Sequence, residues 1–411
     1  MTMTERVTRG AMRTVLAAGL LCGVAGMASA AEISGEVVRI GVMNDQSGAY
    51  ADTSGPGSAA AARLAVEDFG GTVLGKPIEI VSADHQNKPD IGAGTARRWY
   101  DQDGVDGIFD IANSAVSLAV QELAKSDGRL VVHVGSANDR IYGQDCAATG
   151  FLWLYDTFSI AQAIGKAVVA QGGDSWYYIS ADYAFAKAME GALTPVVEAA
   201  GGRVLGAARH PIGTTDYSSY VLQAQASGAK VVALANAGVD TINTIKQASE
   251  FGLTQGGQKL AATVFYLHTV HGLGLEVAQG LQVVTGFYWN MDDGTRAFAK
   301  RFEAATNGNM PSQIHAGTYS AVLHYLKAVD AAGTDEPRAV AAKMRDLRVN
   351  DFFTRDAEVR RDGRLMRDYH LVEVKTPAES TGPWDYYKVL DRVPAADVIR
   401  PMDPALCPIL K

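Results

Sequence analysis

Ala112-Asn113-Ser114 closes an apolar run at residues 107–111 and opens a stretch with helical spacing. A serine hydroxyl and free backbone N–H groups at a helix N-terminus suit a carboxylate, because both donate hydrogen bonds and the helix dipole is positive there. The same residues also read as a plain N-cap, which serine supplies routinely. Ser136 and Ala137 follow a second apolar run at 130–134, and Asn236 and Asp240 follow a third at 231–235. Alanines on either side of Asn236 leave room for a ligand, while Asp240 reads equally well as a helix cap. His268 and His271 stand three apart, a spacing that could bind metal on a helix. No cysteine or Glu-x-x-His pattern accompanies them, so neither a metal nor a cofactor is expected. Gly55-Pro56-Gly57 and Gly92-Ala93-Gly94 lack the rest of a dinucleotide fingerprint, and there is no Gly-x-Ser-x-Gly elbow. No two carboxylates form an acid/base pair in the sequence. The chemistry on offer is binding rather than catalysis, and the chain is not expected to be an enzyme.

Residues 1–30 read as a secretory signal peptide. Arg6, Arg9 and Arg13 are basic, residues 15–24 are apolar, and Ala28-Ser29-Ala30 fits signal-peptidase cleavage. The apolar run is shorter than the ~20 residues a spanning helix needs. Cys22 inside that run allows a lipoprotein reading, although Leu21 before it is larger than a lipidation site prefers. Cleavage leaves about 380 residues, enough for two domains. Loss of Glu5 with Arg6, Arg9 and Arg13 removes a net +2 from a chain of net −8, leaving −10. That acidity argues against nucleic acid and against anionic lipid. A soluble protein exported from the cytoplasm is expected. Cys146 and Cys407 remain, and an even pair in an oxidising compartment suggests one disulfide. Two buried free thiols are the alternative.

Stepping along the mature chain, short β-branched runs alternate with amphipathic stretches. Strands are expected at residues 38–43, 78–82, 107–111, 130–134, 176–179, 204–207, 231–235 and 260–264. Helices are expected at 58–69, 91–100, 114–123, 184–199, 217–226 and 241–251, with glycines such as Gly70, Gly128 and Gly228 at their ends. Apolar strands alternating with helices imply parallel sheets covered on both faces. The last third changes character: a strand at 281–288, three successive helices at 295–306, 316–331 and 337–347, and a late strand at 369–374. The Pro-rich stretch 376–411 is expected to wrap the surface.

Particular residues carry a resemblance. Ile40-Gly41-Val42 precedes Gln46-Ser47-Gly48-Ala49-Tyr50-Ala51. Leu74-Gly75-Lys76-Pro77 leads to Asp84-His85-Gln86-Asn87-Lys88-Pro89. Ser180-Ala181-Asp182-Tyr183-Ala184 and Ala316-Gly317-Thr318-Tyr319-Ser320 come later. In this order they resemble the periplasmic solute-binding proteins of ABC importers, in the branch typified by the leucine/isoleucine/valine-binding protein. The resemblance implies an α/β fold of two Rossmann-like lobes with parallel sheets, joined by a three-crossover hinge. Lobe 1 would be residues 37–155 plus 286–367, and lobe 2 residues 156–285 plus 368–411. It also implies a ligand in the cleft at the carboxyl ends of the strands, hinge closure over it, an inner-membrane permease as partner, and a monomer.

Carried onto this chain, the resemblance makes Ser114 the holder of a ligand carboxylate and Asn113 its neighbour in the site. Where amino-acid binders have threonine, this chain has Ala137, so one hydroxyl is missing, though Ser136 still offers backbone groups. Tyr183 matches an aromatic that packs on the ligand, and Thr53 stands at another such place, with Tyr50 three residues earlier. Amino-acid binders carry an acid beyond the strand at 260–264. Here the sequence reads Thr263-Val264-Phe265-Tyr266-Leu267-His268. A buried ammonium without a counter-charge is costly. The candidate cleft is therefore aromatic: Tyr50, Tyr155, Tyr183, Phe265, Tyr266, His268, Phe287 and Tyr288. Aromatic walls favour a flat ligand, which points to a benzoate- or cinnamate-type acid. The chain also resembles a subgroup of the family that imports such compounds. The alternatives are an amino acid held by Asp240, a secreted hydrolase, or a ligand-sensing domain.

Overall fold

Seven consecutive residues, Val38–Asn44, form the centre of the first sheet and are nearly all buried, because helices cover both faces. In this computed structural model, which describes residues 33–411, the expected signal segment at 1–30 lies outside the described residues. The first sheet contains β1 (Val38–Asn44), β2 (Thr72–Val73), β3 (Lys76–Asp84), β4 (Gly107–Asp110), β5 (Leu130–His133) and β6 (Gly150–Leu152), in the order β2-β3-β1-β4-β5-β6. All its pairings are parallel except β2 with β3. Its helices are α1 (Gly55–Phe69), α2 (Pro89–Asp101) and α3 (Ser114–Ser126). Gly41 is fixed by packing: a Cβ there would stand 2.5 Å from the Trp99 ring of α2.

The second sheet, order β10-β9-β7-β8, is wholly parallel. Its strands are β7 (Ser175–Ala181), β8 (Arg203–His210), β9 (Val231–Ala235) and β10 (Lys259–Ala262). Its helices are α4 (Thr157–Ala170), α5 (Ala184–Ala199), α6 (Ser218–Ala226) and α7 (Val239–Glu250). Along β9 the side chains alternate between two cores. Val231, Ala233 and Ala235 join one with Phe185 and Leu193, and Val232 and Leu234 join another with Val221 and Ile245. The helix α4 has no counterpart in the sequence-based expectation. It starts at a capping box, in which Ser159 N donates to Asp156 Oδ1 at 2.8 Å.

Beyond β10 come α8 (Leu267–Leu273), α9 (Leu275–Ala278), β11 (Gln282–Thr285), α10 (Asp293–Ala305), α11 (Gln313–Ala332) and α12 (Pro337–Asp346). α11 is buried along most of its length against α1. A small ribbon pairs β12 (Glu358–Val359) with β13 (Leu365–Met366), and β14 (Tyr369–Val374) pairs antiparallel with β11 and with β15 (Tyr387–Val393). The stretch 376–411 therefore does more than wrap the surface: it supplies an edge strand. The short α13 (Ala395–Val398) then adds Ala395 and Val398 to the core that α5 shares. Cys146 and Cys407 are joined as a disulfide with Cα atoms 5.6 Å apart. Arg400 pairs with Asp139 at 2.6 Å beside it.

One buried charge ties the segments between the sheets together. Arg364 is fully buried and meets Asp156 Oδ2 at 3.0 Å. It also donates to the carbonyls of Leu152, Leu154 and Leu365. A guanidinium can be buried this way because its fork of donors is nearly all satisfied.

Candidate functional site

Four tyrosines converge where strand ends of the two parallel sheets face each other. Tyr50 lies in the loop after β1, and that loop is organised by Asp45. The Asp45 carboxylate accepts from Gly48 N, Tyr50 N and Asn87 Nδ2 at 2.6–2.9 Å. The Tyr50 hydroxyl then donates to the hydroxyl of Tyr183, at the start of α5, at 2.8 Å. Tyr155 donates to Gly135 O at 3.1 Å, and Tyr266, at the start of α8, meets its hydroxyl at 2.5 Å. Burial is the first cause that raises all four phenols well above their usual range. They stay neutral at physiological pH and act as hydrogen-bonding groups.

These rings enclose a space of about 320 Å³ free of protein atoms, its mouth included. Ser114, Ala137, Phe185, Val264 and Ile314 complete much of its wall. Among the described residues, every group lining it is apolar or a neutral hydroxyl; neither a carboxylate nor a cation reaches the wall. Ser114 opens α3, and its Oγ accepts from Ser136 Oγ at 3.5 Å, which leaves its own O–H to donate. Asn113 takes more of this helix end than the sequence suggests. Its side chain caps Ala115 N at 2.8 Å and Val116 N at 3.2 Å and donates to Asn87. The helix end offers a ligand the Ser114 O–H and N–H rather than a row of free amides.

Of the expected residues, the structure brings Tyr50, Ser114, Ala137, Tyr183 and Tyr266 onto this space, with Tyr155 and Thr53. Ser136 stands behind Ser114. Others are placed elsewhere. Asn236 donates to His210 Nε2 and Thr244 Oγ1 and accepts from Thr241 Oγ1, all within 3.1 Å, in a network beneath β9. Asp240 accepts from Gly213 N at 3.0 Å, and burial lifts its carboxyl to about 6. His268 sits against Trp384 and His315, with ring centroids 5.1 and 5.8 Å away, and burial lowers it to about 3. Phe287 packs edge-on against Phe298 and Phe352. Tyr288 donates to Asp385 at 3.0 Å, away from the space.

Two features of the site escaped the sequence reading. Phe185 lines the space because it follows Tyr183 by two residues at the same strand-to-helix junction. Asp110 ends β4 as a buried carboxylate behind the tyrosines. Asn44 Nδ2 donates to its Oδ2 at 2.9 Å, while Oδ1 has no partner. Desolvation raises its carboxyl to about 6. Asp110 and Ile111 both hold positive φ, 80° and 54°, which non-glycine residues adopt only when the surroundings impose it. Gly135 makes the turn possible, since a Cβ there would lie 2.8 Å from Asp110 Oδ1.

The comparisons with known proteins agree on the family. A family model described as periplasmic binding protein matches residues 37–382. A periplasmic binding protein from Burkholderia mallei is 44% identical, with a TM-score of 0.88 over 92% of this chain and 100% of that one. A branched chain amino acid ABC transporter periplasmic ligand-binding protein from Burkholderia xenovorans LB400 is 43% identical. Its TM-score is 0.77, covering 89% of this chain and 97% of that one. An ABC transporter solute-binding protein from R. palustris, solved in complex with benzoate, shares the fold. It is 19% identical, with a TM-score of 0.77 over 87% of this chain and 97% of that one. Members of the matched family bind small-molecule solutes for ABC transporters, work with a permease and are named for the periplasm. With parallel α/β sheets, strand ends facing a shared space and a family match over most of its length, this chain belongs to the periplasmic binding protein family.

Proposed function

We propose that this protein captures a small aromatic carboxylate, of the benzoate or cinnamate type, and delivers it as a monomer to the permease of an ABC importer. The observation that carries this reading is the wall of the tyrosine-lined space, which is aromatic and hydroxylated and bears no charged side chain. An α-amino acid brings an ammonium group that, buried without a counter-charge, costs several kcal/mol. A carboxylate is better served: the Ser114 O–H and N–H stand at the positive end of α3, and the Tyr183 hydroxyl, which accepts from Tyr50, keeps its own proton to donate. Aromatic walls match a flat ring by edge and offset contacts. A signal peptide at residues 1–30 fits export to the periplasm.

In this reading residues 37–155 with 286–367 make one lobe, and residues 156–285 with 368–411 the other. The bond from Tyr50 to Tyr183 then crosses the cleft and helps hold it shut. The second reading is a branched-chain amino acid. It is favoured by what the Burkholderia xenovorans relative is named for and by Asp240, whose charge is felt at Tyr50 and Tyr183.

Thermal melting of the exported protein against benzoates, cinnamates and branched-chain amino acids separates the two. A ligand that binds only the native state raises the Tm by mass action. A rise with aromatic acids alone is expected. A rise with leucine or valine alone overturns the reading and makes Asp240 the ammonium partner.

A further inference from the structure

β10 is the outermost strand of the second sheet, and β11 is the outermost strand of the sheet it forms with β14 and β15; no ladder joins the two. Both line a space of about 610 Å³. Consecutive residues do so, 259–262 on one side and 280–284 on the other. Neighbouring side chains along a strand point to opposite faces, so the strands present their edges to this space rather than a face. The unpaired backbone groups follow from the ladders. Lys259 N donates to Lys230 O and Thr263 N to Leu234 O. Residues 259, 261 and 263 therefore bond toward β9, and the N–H and C=O of Leu260 and Ala262 point outward. Val374 N donates to Leu281 O. Bonded and non-bonded pairs alternate along an antiparallel ladder, which turns the N–H and C=O of Gln282 and Val284 away from β14. Helix α4 covers one side of the space with Ala163, Ile164 and Val168.

We infer that this slot takes an extended peptide segment as an added strand, about as long as the four residues of β10. Two edges of unpaired N–H and C=O groups lining one space are complementary to a backbone that alternates donors and acceptors along both of its own edges. The room agrees, since four residues of strand need about 630 Å³ at the usual rise, strand spacing and layer thickness. The added strand joins the second sheet to β11, β14 and β15. Lys259 is exposed and is the one charged residue among the described residues that line the slot. The peptide therefore carries an acidic residue at that end and small apolar side chains toward α4. The slot shares no lining residue with the tyrosine-lined space, so this inference stands apart from the ligand bound there.

A pool of pentapeptides tests it, with Asp at either end and Ala, Val, Thr or Ser elsewhere, passed over the immobilised exported protein. Retained peptides are then titrated in solution. They should slow hydrogen exchange at the amides of Leu260, Ala262, Gln282 and Val284. Ala262→Pro and Gln282→Pro each remove one outward N–H, from opposite sides of the slot, at edge positions where proline is tolerated. Each is expected to weaken the peptides at least about fivefold, the worth of one hydrogen bond, while keeping the Tm of the parent. Lys259→Glu should reverse the charge preference and favour the same peptides with Lys in place of Asp. The inference is overturned if the pool leaves no peptide behind, if exchange at those amides is unaltered, or if affinity is undiminished in both proline variants. A dimer in sedimentation that Ala262→Pro dissociates also overturns it, because the slot then holds a second copy of the chain.

Discussion

Asp110 is the residue whose environment departs furthest from what its type prefers. A carboxyl that titrates near 4 in an unfolded chain is raised to about 6 in the native protein, first by desolvation. Below pH ~4 both states hold the proton. Between pH ~4 and 6 the native state keeps a proton that the unfolded state has lost, so stability falls as pH rises through that window. Above it the full cost remains, on the order of 2–3 kcal/mol. Asp110→Asn is therefore expected to match the parent at pH 4 and to exceed it by about 1–3 kcal/mol at pH 8. Urea melts at the two pH values measure this, and a variant no more stable at pH 8 would show that the buried charge carries no such cost. The sequence hid this residue because an aspartate at a strand end reads as a turn former. Its depth depends on Asn44 from β1 and on Gly135, which makes room for it. That Tyr50, Tyr183 and Tyr266 share one space was legible, because strand ends in a parallel sheet must meet at one edge. That His268 and Phe287 lie off this space was not legible, for the converse reason. An aromatic at a strand end reads the same whether it faces a cleft or, as Phe287 does, a cluster of other rings.

Among the elements, α3 depends most clearly on one side chain. Asn113 satisfies two N–H groups of its first turn, so Asn113→Ala should cost about 1 kcal/mol. Asn113→Asp keeps both caps and favours the helix dipole but loses the donation to Asn87 and buries a charge, so it should cost about as much as the alanine variant at neutral pH. Equilibrium unfolding of the two variants distinguishes a cap from a ligand contact. If both keep stability and lose ligand, Asn113 belongs to the site after all. Elements with buried, periodic faces were the easiest to read: α5 at Ala184–Ala199 and β9 at Val231–Ala235 fall where the pattern put them. The strand β15 was not legible because it lies at a sheet edge, where Val389 and Leu390 are both exposed and no alternation shows. The helix α4 was missed because its start is marked by Asp156 and Ser159, a weaker signature than the usual glutamate or glutamine at the third position.

At the scale of the whole molecule, the Cys146–Cys407 disulfide joins residues separated by 261 positions. In the loop-closure view, a cross-link of that span stabilises by about 5–6 kcal/mol, chiefly by restricting the unfolded chain. Cys407→Ser is expected to lower the Tm strongly, and a reducing agent should lower the Tm of the parent to a similar value. An unchanged Tm in both tests would mean that the tail is held by Arg400 and the α13 contacts alone. The same separation has a consequence in time. For a chain fed into an oxidising compartment at the pace of synthesis, about 5–20 residues per second, the Cys407 thiol follows Cys146 by roughly 13–52 s across those 261 residues. For that interval Cys146 is a solitary thiol among oxidants, exposed to any other nascent cysteine. The protein's yield in the cell is then set partly by how quickly the first sheet folds and shelters that sulfur before its distant partner arrives.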